Sequence, residues 1–270
     1  MSQSRRISLG GLEIIMTYRG ATQERRDNLR GVLRHLHRTY SDYIVYLIEA
    51  DATPTFHWSG IGDENIRHLF VPDSGPFPKA KLCNLGARMC TGEVICFYDA
   101  DMVANPEILP LAVNALKEGK NSDALCPFLR VINITGDYRK DFIDSGNYDL
   151  LNPYVDADLP DDMQVLYENT PGAIVLIKRS EYRRVGGYDP RFIGWGGEDD
   201  DLLTRASRLG VRWHSLRETQ ASLFHLHHDS TSRHAAIEAA QRNVEAAAET
   251  HALSLPELEA RAAELARYFD

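Results

Sequence analysis

The chain has 270 residues, of which 43% are hydrophobic and 26% are charged, and its formal net charge is −9. This size allows one large domain with a sizeable core, with or without an appendage. The negative charge argues against a nucleic-acid partner bound through its phosphates. No apolar run reaches transmembrane length and no signal peptide opens the chain, so we expect a soluble, cytoplasmic protein. The four cysteines lack metal-ligand spacing and are expected to be free thiols.

The first half of the chain alternates between strand patterns and helix patterns. Apolar runs typical of buried strands occupy residues 13–17, 43–49, 66–71, 93–98 and 123–132. Thr22 caps a first predicted helix, residues 79–90 form a second, and Asn105-Pro106 begins a third. This order predicts right-handed β-α-β units and therefore an α/β fold with a mixed, mostly parallel sheet flanked by helices.

The second half begins with an acidic stretch, residues 142–169, which is long for a connection and is interpreted as a functional loop or lid. Strands are predicted over residues 173–178, 211–214 and 220–226. An Ala/Glu-rich helix over 231–251 and a last helix with a capping box at Ser254 follow. We therefore predict a main domain over residues 1–230 and a C-terminal helical extension over 231–270, packed on the domain or on a partner subunit.

The stretch from Gly194 to Asp201 places Trp195 and three glycines before four consecutive acids. Like charges in contact repel, so such a run is costly to hold together. The glycines allow a tight turn beside the indole, on which a sugar can stack, and one carboxylate can act as a general base. A helix with an acidic first turn would also explain the acids alone, because the N-terminus of a helix favours negative charge. With the tryptophan and glycines attached, we interpret the stretch as a saccharide site.

A second acidic motif, Asp99-Ala100-Asp101, ends a hydrophobic strand, which is where open α/β sheets bind ligands. Carboxylates at that position are suitable ligands for Mg²⁺ or Mn²⁺, and such an ion bridges diphosphates. An EF-hand is excluded, since Ala104 and Pro110 occupy the positions that require glycine and glutamate.

Three histidines, His225, His227 and His228, follow the last predicted strand. Three histidines in four residues more often indicate a metal site than a surface or tag-like cluster, which is the alternative. Imidazole combined with carboxylate favours Mn²⁺ over Mg²⁺ alone. In an extended segment His225 and His227 share a side, whereas a bend brings His225 and His228 together. The sequence leaves open which of the three bind metal.

Taken together, these motifs resemble the GT-A glycosyltransferases, in particular the group that includes the β-1,4-galactosyltransferases and bacterial chondroitin-synthase-like family 2 enzymes. The resemblance covers roughly residues 12–230. The matching pieces are Tyr18-Arg19, Lys79 to Gly86, Tyr98 to Asp101, Gly186-Gly187-Tyr188, Gly194 to Asp201, and His225 with His228. The galactosyltransferases differ in carrying methionine where His225 stands, and in having a membrane anchor and disulfides.

The resemblance implies an inverting transfer of a sugar, of Gal, GalNAc or Glc type, from a UDP-sugar to a hydroxyl of a saccharide acceptor, with Mn²⁺ or Mg²⁺ on the diphosphate. It implies polysaccharide biosynthesis as the context and Asp199 as the catalytic base. The expected substrate-binding residues are Trp195, Gly196, Gly197, Glu198 and Asp200. The expected nucleotide and diphosphate contacts are Tyr18, Arg19, Arg25, Lys81, Asn84 and Asp99. The expected metal ligands are Asp101, His225 and His228.

Two other functions are weighed against this one. A nucleotide-sugar pyrophosphorylase or other nucleotidyltransferase would carry a Gly-rich phosphate loop near its N-terminus, and none is seen. A non-catalytic sugar-binding module of the same fold would not need to keep the base and the metal set. The sequence leaves open the donor sugar, the acceptor, the linkage, peripheral membrane association and oligomerisation through the C-terminal helices.

Overall fold

The computed structural model describes residues 6–57, 63–119, 121–154, 158–194, 196–215, 222–229 and 233–269, with the backbone alone for 233–239. The strands are β1 (Ile7–Tyr18), β2 (Tyr40–Asp51), β3 (Ile66–Pro72), β4 (Val94–Tyr98), β5 (Met102–Ala104), β6 (Ala124–Cys126), β7 (Arg130–Ile134), β8 (Met163–Glu168), β9 (Ile174–Lys178), β10 (Trp213–Ser215) and β11 (Ser222–Leu226). The helices are α1 (Gln23–Thr39), α2 (Lys79–Met89), α3 (Ile108–Lys117), α4 (Gly136–Ser145), α5 (Arg179–Arg184), α6 (Glu198–Arg208), α7 (Arg233–Ala252) and α8 (Leu255–Ala266).

The strands form a larger and a smaller sheet. The larger has seven strands in the order β10-β6-β9-β4-β1-β2-β3, and only the pairings of β9 with β4 and β6 are antiparallel. The smaller has the order β5-β11-β7-β8, in which β11 and β7 are parallel. Helices α2 and α3 pack on the larger sheet. The predicted mixed, mostly parallel α/β sheet with flanking helices is confirmed.

The central strands are buried on both faces, as parallel strands covered by helices should be. In β1, the consecutive residues Ile14, Ile15 and Met16 are each at most 1% exposed. Helix α1 begins at its predicted cap, because the Thr22 hydroxyl accepts a hydrogen bond of 3.3 Å from the Arg25 amide.

Three predicted elements differ from the structure. Residues 123–132 form two strands in different sheets, β6 and β7, because Pro127 lacks the amide that would continue the ladder. Residues 142–169 are not one irregular loop, since they hold the end of α4 and the edge strand β8, whose apolar Val165 and Tyr167 are exposed. Helix α3 begins at Ile108, and the Asn105 side chain instead accepts from the Glu107 amide at 2.9 Å.

The C-terminal helices pack on the domain. Leu258, Leu265 and Phe269 are buried, and α8 contacts α5 and α6. Arg261 of α8 donates a hydrogen bond of 2.7 Å to the buried Asp189, and α8 opens with the predicted capping box at Ser254. Across the part of the chain that the structure describes, no helix is both long and apolar enough to cross a bilayer. The four cysteines are buried and unbridged, as expected.

Candidate active site

The predicted acidic and basic side chains meet at the edge of the larger sheet where the parallel strands β1, β2 and β4 end. Asp99 and Asp101 follow β4 directly, and Asp99 is fixed there by a 2.8 Å hydrogen bond from its amide to the Ala173 carbonyl. Helix α2 brings Lys79 to this edge with its first residue, and α6 brings Glu198 in the same way. The carboxyl edge of a parallel sheet is the usual ligand site of such folds.

The Lys79 ammonium lies among three carboxylates. Its Nζ is 3.4 Å from Asp99 Oδ1, 3.0 Å from Glu198 Oε1 and 3.2 Å from Asp199 Oδ2. The lysine side chain is 17% exposed and that of Glu198 is 7% exposed, so water screens these pairs only partly. Lys79 therefore joins the strand-end motif to the acidic start of α6.

The charges in this cluster shift one another's protonation. Burial disfavours the lysine cation, but Asp199, Asp99 and Glu198 outweigh burial and hold the pKa of Lys79 well above its usual range. Burial, opposed by Lys79 and reinforced by Asp101, raises the pKa of Asp99 to about 7. Burial likewise raises the pKa of Glu198, with Lys79 opposing and Asp199 adding to the effect.

The remaining acids of the run are separated from this cluster by the turn of α6. Asp201 is fully buried and pairs with the equally buried Arg205 at 2.7 Å, one helical turn away. Arg205 also donates to the carbonyls of Val185 and Gly187, so this pair ties α6 to the preceding loop. Asp200, predicted to bind substrate, is exposed. The helix thus leaves Glu198 and Asp199 with Lys79 but directs Asp200 and Asp201 elsewhere, which reduces the mutual repulsion of the four carboxylates.

Asp199 is held from the core side by a tyrosine. The Tyr188 hydroxyl donates a 2.6 Å hydrogen bond to Asp199 Oδ1, while Lys79 contacts the other oxygen. Asn84 fixes Tyr188 in turn: it donates to the Tyr188 carbonyl at 2.7 Å and accepts from its amide at 3.0 Å. The Asn84 oxygen also accepts from the Tyr182 hydroxyl at 2.6 Å. The Asn84 amide is buried and bonded within the core, and its contact with the nucleotide stays a prediction.

Glycines shape the entry to α6. Positive φ angles of 83°, 91° and 86° occur at Gly194, Gly196 and Gly197. These are left-handed conformations that favour glycine. Gly172 also lies against Asp199, since a β-carbon there would lie 2.5 Å from Asp199 Oδ2. Trp195, the predicted stacking platform, lies outside the described residues.

Beside this cluster, the structure brings the three predicted metal ligands together. One ligand atom each from Asp101, His225 and His228 lie within 4.8 Å of one another. His228 Nε2 is 3.0 Å and His225 Nε2 is 3.9 Å from Asp101 Oδ2. One carboxylate and two imidazoles, half-buried, form a donor set that suits Mn²⁺ and similar divalent ions. His227 is 46% exposed and interacts with Asp229 instead, so the chain bends in the way that pairs His225 with His228.

Outer contacts orient these imidazoles. His225 Nδ1 is 2.8 Å from Asn133 Oδ1, which leaves its Nε2 facing Asp101. The segment that carries the histidines is fixed by Asn28, whose side chain donates to the Leu226 carbonyl at 2.6 Å. Arg139 in turn donates to Asn28 at 2.7 Å. Such second contacts set the tautomer and orientation of metal-binding histidines.

Electrostatics also suit a cation here. Burial alone would raise the pKa of Asp101, but the hydrogen bond from His228 and the charges of His225 and Arg25 lower it to about 2. Burial lowers the pKa of His225, which favours the neutral form that binds metals. Arg25, a predicted nucleotide contact, thus lies close enough to act on this cluster.

Two other predicted nucleotide contacts line the end of β1. Arg19 joins the end of β2 to the loop beyond β3: it donates to the carbonyls of Ala50, Gly75 and Asp73 and to the Asp73 carboxylate. Its guanidinium lies 5.3 Å from the centre of the Phe77 ring. Tyr18 is buried, with its pKa raised mainly by burial. Their contact with a nucleotide stays a prediction.

The structure brings Lys79 of α2 to the carboxylates rather than the predicted Lys81, whose contact with the diphosphate stays a prediction. Lys81 is exposed, whereas Lys79 reaches the carboxylates and lines the same small cavity as Cys83. Two residues along a helix rotate a side chain by about 200°, so Lys79 and Lys81 cannot share a face. Helical spacing from the buried Cys83 would have identified Lys79. The sequence did not predict the contact of Asn133 with His225, because an asparagine within a strand pattern does not reveal its hydrogen-bond partner.

Two family models of known proteins match segments that contain the carboxylate cluster around Lys79 and the Asp101–His225–His228 group. A family model described as glycosyl transferase family 2 matches residues 68–170, which include Lys79, Asp99 and Asp101. A model described as N-terminal domain of galactosyltransferase matches residues 158–229, which include Asp199 and His228. This chain resembles glycosyltransferases. The resemblance predicted from the sequence is confirmed.

The glycosyltransferase relatives are longer than the aligned part. Human polypeptide N-acetylgalactosaminyltransferase 10 is 27% identical over 143 residues, 49% of this chain and 23% of that protein. Drosophila melanogaster β-1,4-galactosyltransferase 7 is 26% identical over 148 residues, 54% of this chain and 36% of that protein. The crystal structure of the catalytic domain of Drosophila β-1,4-galactosyltransferase 7 in complex with xylobiose has a TM-score of 0.47 and 16% identity, covering 82% of this chain and 71% of that one. The chain thus spans well under half the length of these curated relatives.

Proposed function

We propose that this chain is an inverting, metal-dependent glycosyltransferase that moves a sugar of Gal, GalNAc or Glc type from a UDP-sugar to a hydroxyl of a saccharide acceptor. One observation carries the proposal: a carboxylate cluster and a metal-type donor set adjoin each other at one sheet edge, joined through Asp99 and Asp101. The two glycosyltransferase family models support it, since between them they include both groups.

The donor half of the site is assigned to Asp101, His225 and His228, whose oxygen and nitrogen atoms fit a divalent cation. When bound there, the cation supplies positive charge that stabilises the leaving diphosphate. Asn133 holds the His225 ring in the orientation this requires. Arg25 adds a positive charge near the same group and is assigned to the nucleotide diphosphate.

The acceptor half is assigned to the start of α6. The Asp199 carboxylate takes the proton of the acceptor hydroxyl, and the resulting oxygen forms a bond to the anomeric carbon. The bond from that carbon to the UDP oxygen breaks on the opposite face, and its electron pair leaves with UDP. Tyr188 and Lys79 hold Asp199 in position. Glu198, beside it and nearly buried, is assigned to orienting the acceptor.

Release of UDP tests the reaction class. A panel of UDP-sugars is incubated with Mn²⁺, with and without β-methyl glycosides as acceptors, and UDP is quantified. Release that depends on both metal and acceptor is the expected result. Formation of inorganic pyrophosphate from a sugar phosphate and UTP would instead show a nucleotidyltransferase. Sugar binding without any turnover would show a binding module.

Three variants test the base. Glu198→Gln, Asp199→Asn and Asp200→Asn each keep shape and remove one proton acceptor. A general base contributes about 10²–10⁴-fold to the rate, so Asp199→Asn should slow transfer by that factor while UDP affinity stays unchanged. Asp200→Asn is the matched control, because this acid is exposed. Near wild-type turnover in Asp199→Asn would contradict the assignment, and a large loss confined to Glu198→Gln would move the base to that residue.

A further inference from the structure

The C-terminal helix α7 contacts the glycine loop that precedes the catalytic acids. Asn243 of α7 is 3% exposed, and its amide bonds to the backbone of that loop. Its oxygen accepts from the Ile193 amide at 3.3 Å. Its nitrogen donates to the Ile193 carbonyl at 3.2 Å and to the Gly196 carbonyl at 2.7 Å. One side chain thus fixes both ends of the segment from Ile193 to Gly196.

Apart from Asn243, this loop is held by a 2.8 Å hydrogen bond from the Gly194 amide to the Phe77 carbonyl. Its glycines lose much conformational entropy when they become ordered, and they have no side chains that could pack against the domain. Gly197, the residue before α6, lies against α7, since a β-carbon there would be 3.4 Å from the Asn243 β-carbon. The contact with α7 therefore adds to the bonds from Lys79 and Tyr188 in fixing Glu198 and Asp199 at the start of α6.

Helix α7 is itself anchored at its far end. Arg208 donates to the carbonyls of Thr250 and His251, and Arg191 pairs with Glu249 at 2.7 Å. Both arginines belong to the main domain. Asn243 is therefore presented by a helix with fixed attachments to that domain.

We propose that Asn243 is a positioning residue for the acceptor side of the site, and that helix α7, beyond the segments matched by the family models, completes that side. The proposal rests on the proposed function for the identity of the ligand, a saccharide acceptor. Asn243 acts through the backbone from Ile193 to Gly196. The donor side is independent of it, because Asp101, His225 and His228 are held by β4, β11 and Asn133.

Hydrogen exchange measures the anchoring without reference to activity. Asn243→Ala removes the three hydrogen bonds to Ile193 and Gly196, and Asn243→Asp keeps the shape but removes both amide donors. Amide exchange in a peptide spanning residues 192–201 should become faster by about tenfold or more in both variants. A peptide spanning residues 222–229 should be unchanged. Val244→Ala is the matched control, because Val244 is adjacent on α7 and 67% exposed. Unchanged exchange at 192–201 in both Asn243 variants would overturn the proposal.

Steady-state kinetics measure the consequence for the acceptor. With the β-methyl glycoside that supports UDP release by the wild type, Asn243→Ala should raise the glycoside KM by about tenfold. The affinity for UDP with Mn²⁺ should stay within twofold of wild type. An equal loss of UDP affinity would overturn the positioning role, because it would indicate general disorder. The wild type could transfer no sugar while the Asn243 variants still exchange faster at residues 192–201. That result would support the anchoring and refute the proposed function.

Discussion

The hydroxyl of Tyr188 and the carboxylate of Asp199 are joined by a 2.6 Å hydrogen bond, although they belong to separate segments of the chain. Tyr188 is 1% exposed, and Asn84 of α2 holds its backbone on both sides. The acid that we assign as base is therefore positioned by three elements of the core. A loop alone could not hold a carboxylate as closely, because its backbone is less constrained.

Tyr188→Phe should lower the transfer rate without changing donor binding. The substitution removes the hydrogen bond to Asp199 and leaves the ring in place. A hydrogen bond to a charged group contributes about 1.5–3 kcal/mol. If most of that free energy orients the Asp199 carboxylate, the transfer rate should fall by roughly tenfold to a hundredfold. The measurement is kcat for UDP release at saturating donor and acceptor, together with UDP affinity by calorimetry.

Tyr182→Phe is the matched control for this change. It removes another fully buried phenol, one that bonds Asn84 and accepts from the Tyr188 amide, but whose described hydrogen bonds do not include Asp199. A similar loss of stability is expected in both variants, with the larger loss of rate only in Tyr188→Phe. Equal effects on the rate would show that Tyr188 acts through general packing.

His228→Ala and Asp101→Ala should abolish Mn²⁺-dependent UDP binding. Each removes a donor atom from a set of three that lie within 4.8 Å of one another. His227→Ala is the control, because His227 is 46% exposed and interacts with Asp229. Titration calorimetry of UDP with and without Mn²⁺ separates these cases. Damage by His227→Ala with normal binding in His228→Ala would reverse the assignment of the two histidines.

Lys79→Met should destabilise the fold, because it leaves three carboxylates close together without their shared cation. Removing one partner of a buried ion pair typically costs about 3–5 kcal/mol, and the 17% exposure of Lys79 places the loss near the lower figure. Lys81→Met, on the exposed face of the same helix, should cost about 0.5 kcal/mol or less. Urea unfolding at pH 7.5 compares the two, and similar midpoints would contradict the role given to Lys79.

Much of the site was predictable because it depends on periodic patterns. The strand ending at Tyr98 is an apolar run, so the sequence predicted that Asp99 and Asp101 lie at a ligand-binding edge. His225 lies near the end of another apolar strand, and His227 and His228 follow it; the structure brings two of the three to Asp101. Which two depends on the bend after Leu226, a tertiary feature that strand periodicity does not encode.

The supporting residues were not predictable for a different reason. Asn84, Asn133 and Asn243 are polar residues inside helix or strand patterns, where the pattern alone predicts solvent exposure. Each is buried because it bonds to a segment distant in sequence. Such pairings follow from the assembled fold and leave no local signature. The edge strand β8 was missed similarly, since its exposed Val165 and Tyr167 obscure the usual alternation.

His35 should make the stability of the fold depend on pH. It is fully buried, with its ring nitrogens 3.3 Å from the Gly146 carbonyl and 3.2 Å from the Ala104 carbonyl. Burial lowers its pKa from 6.5 to about 4, against the opposing effect of the two carbonyls. Between these values the unfolded chain binds a proton that the folded chain excludes. Stability is therefore full above about pH 6.5 and falls by up to about 3 kcal/mol as the pH drops to 4.

The control for this effect is His35→Gln, which lacks the titrating group and keeps an amide within reach of a carbonyl. Urea unfolding at pH 7 and pH 4.5 is compared for both proteins. The variant should be less stable at pH 7 but should lose less stability on acidification than the wild type. The same loss in both would mean that His35 does not contribute to the acid sensitivity.

Removal of the last helix should destabilise the protein and leave the donor site intact. Truncation after residue 250 removes Arg261 from the buried Asp189 and removes the Phe269 ring, which lies 5.5 Å from that of Tyr182. Phe269→Ala isolates the second contact, and deleting a buried aromatic ring costs about 3–5 kcal/mol. Tyr268→Ala is the matched control, because Tyr268 is adjacent to Phe269 in the sequence and its side chain is 54% exposed. Urea midpoints and UDP calorimetry with Mn²⁺ test both parts. An unchanged midpoint in Phe269→Ala would show that the tail does not stabilise the domain, and lost UDP affinity in a folded variant would show that the donor site depends on it.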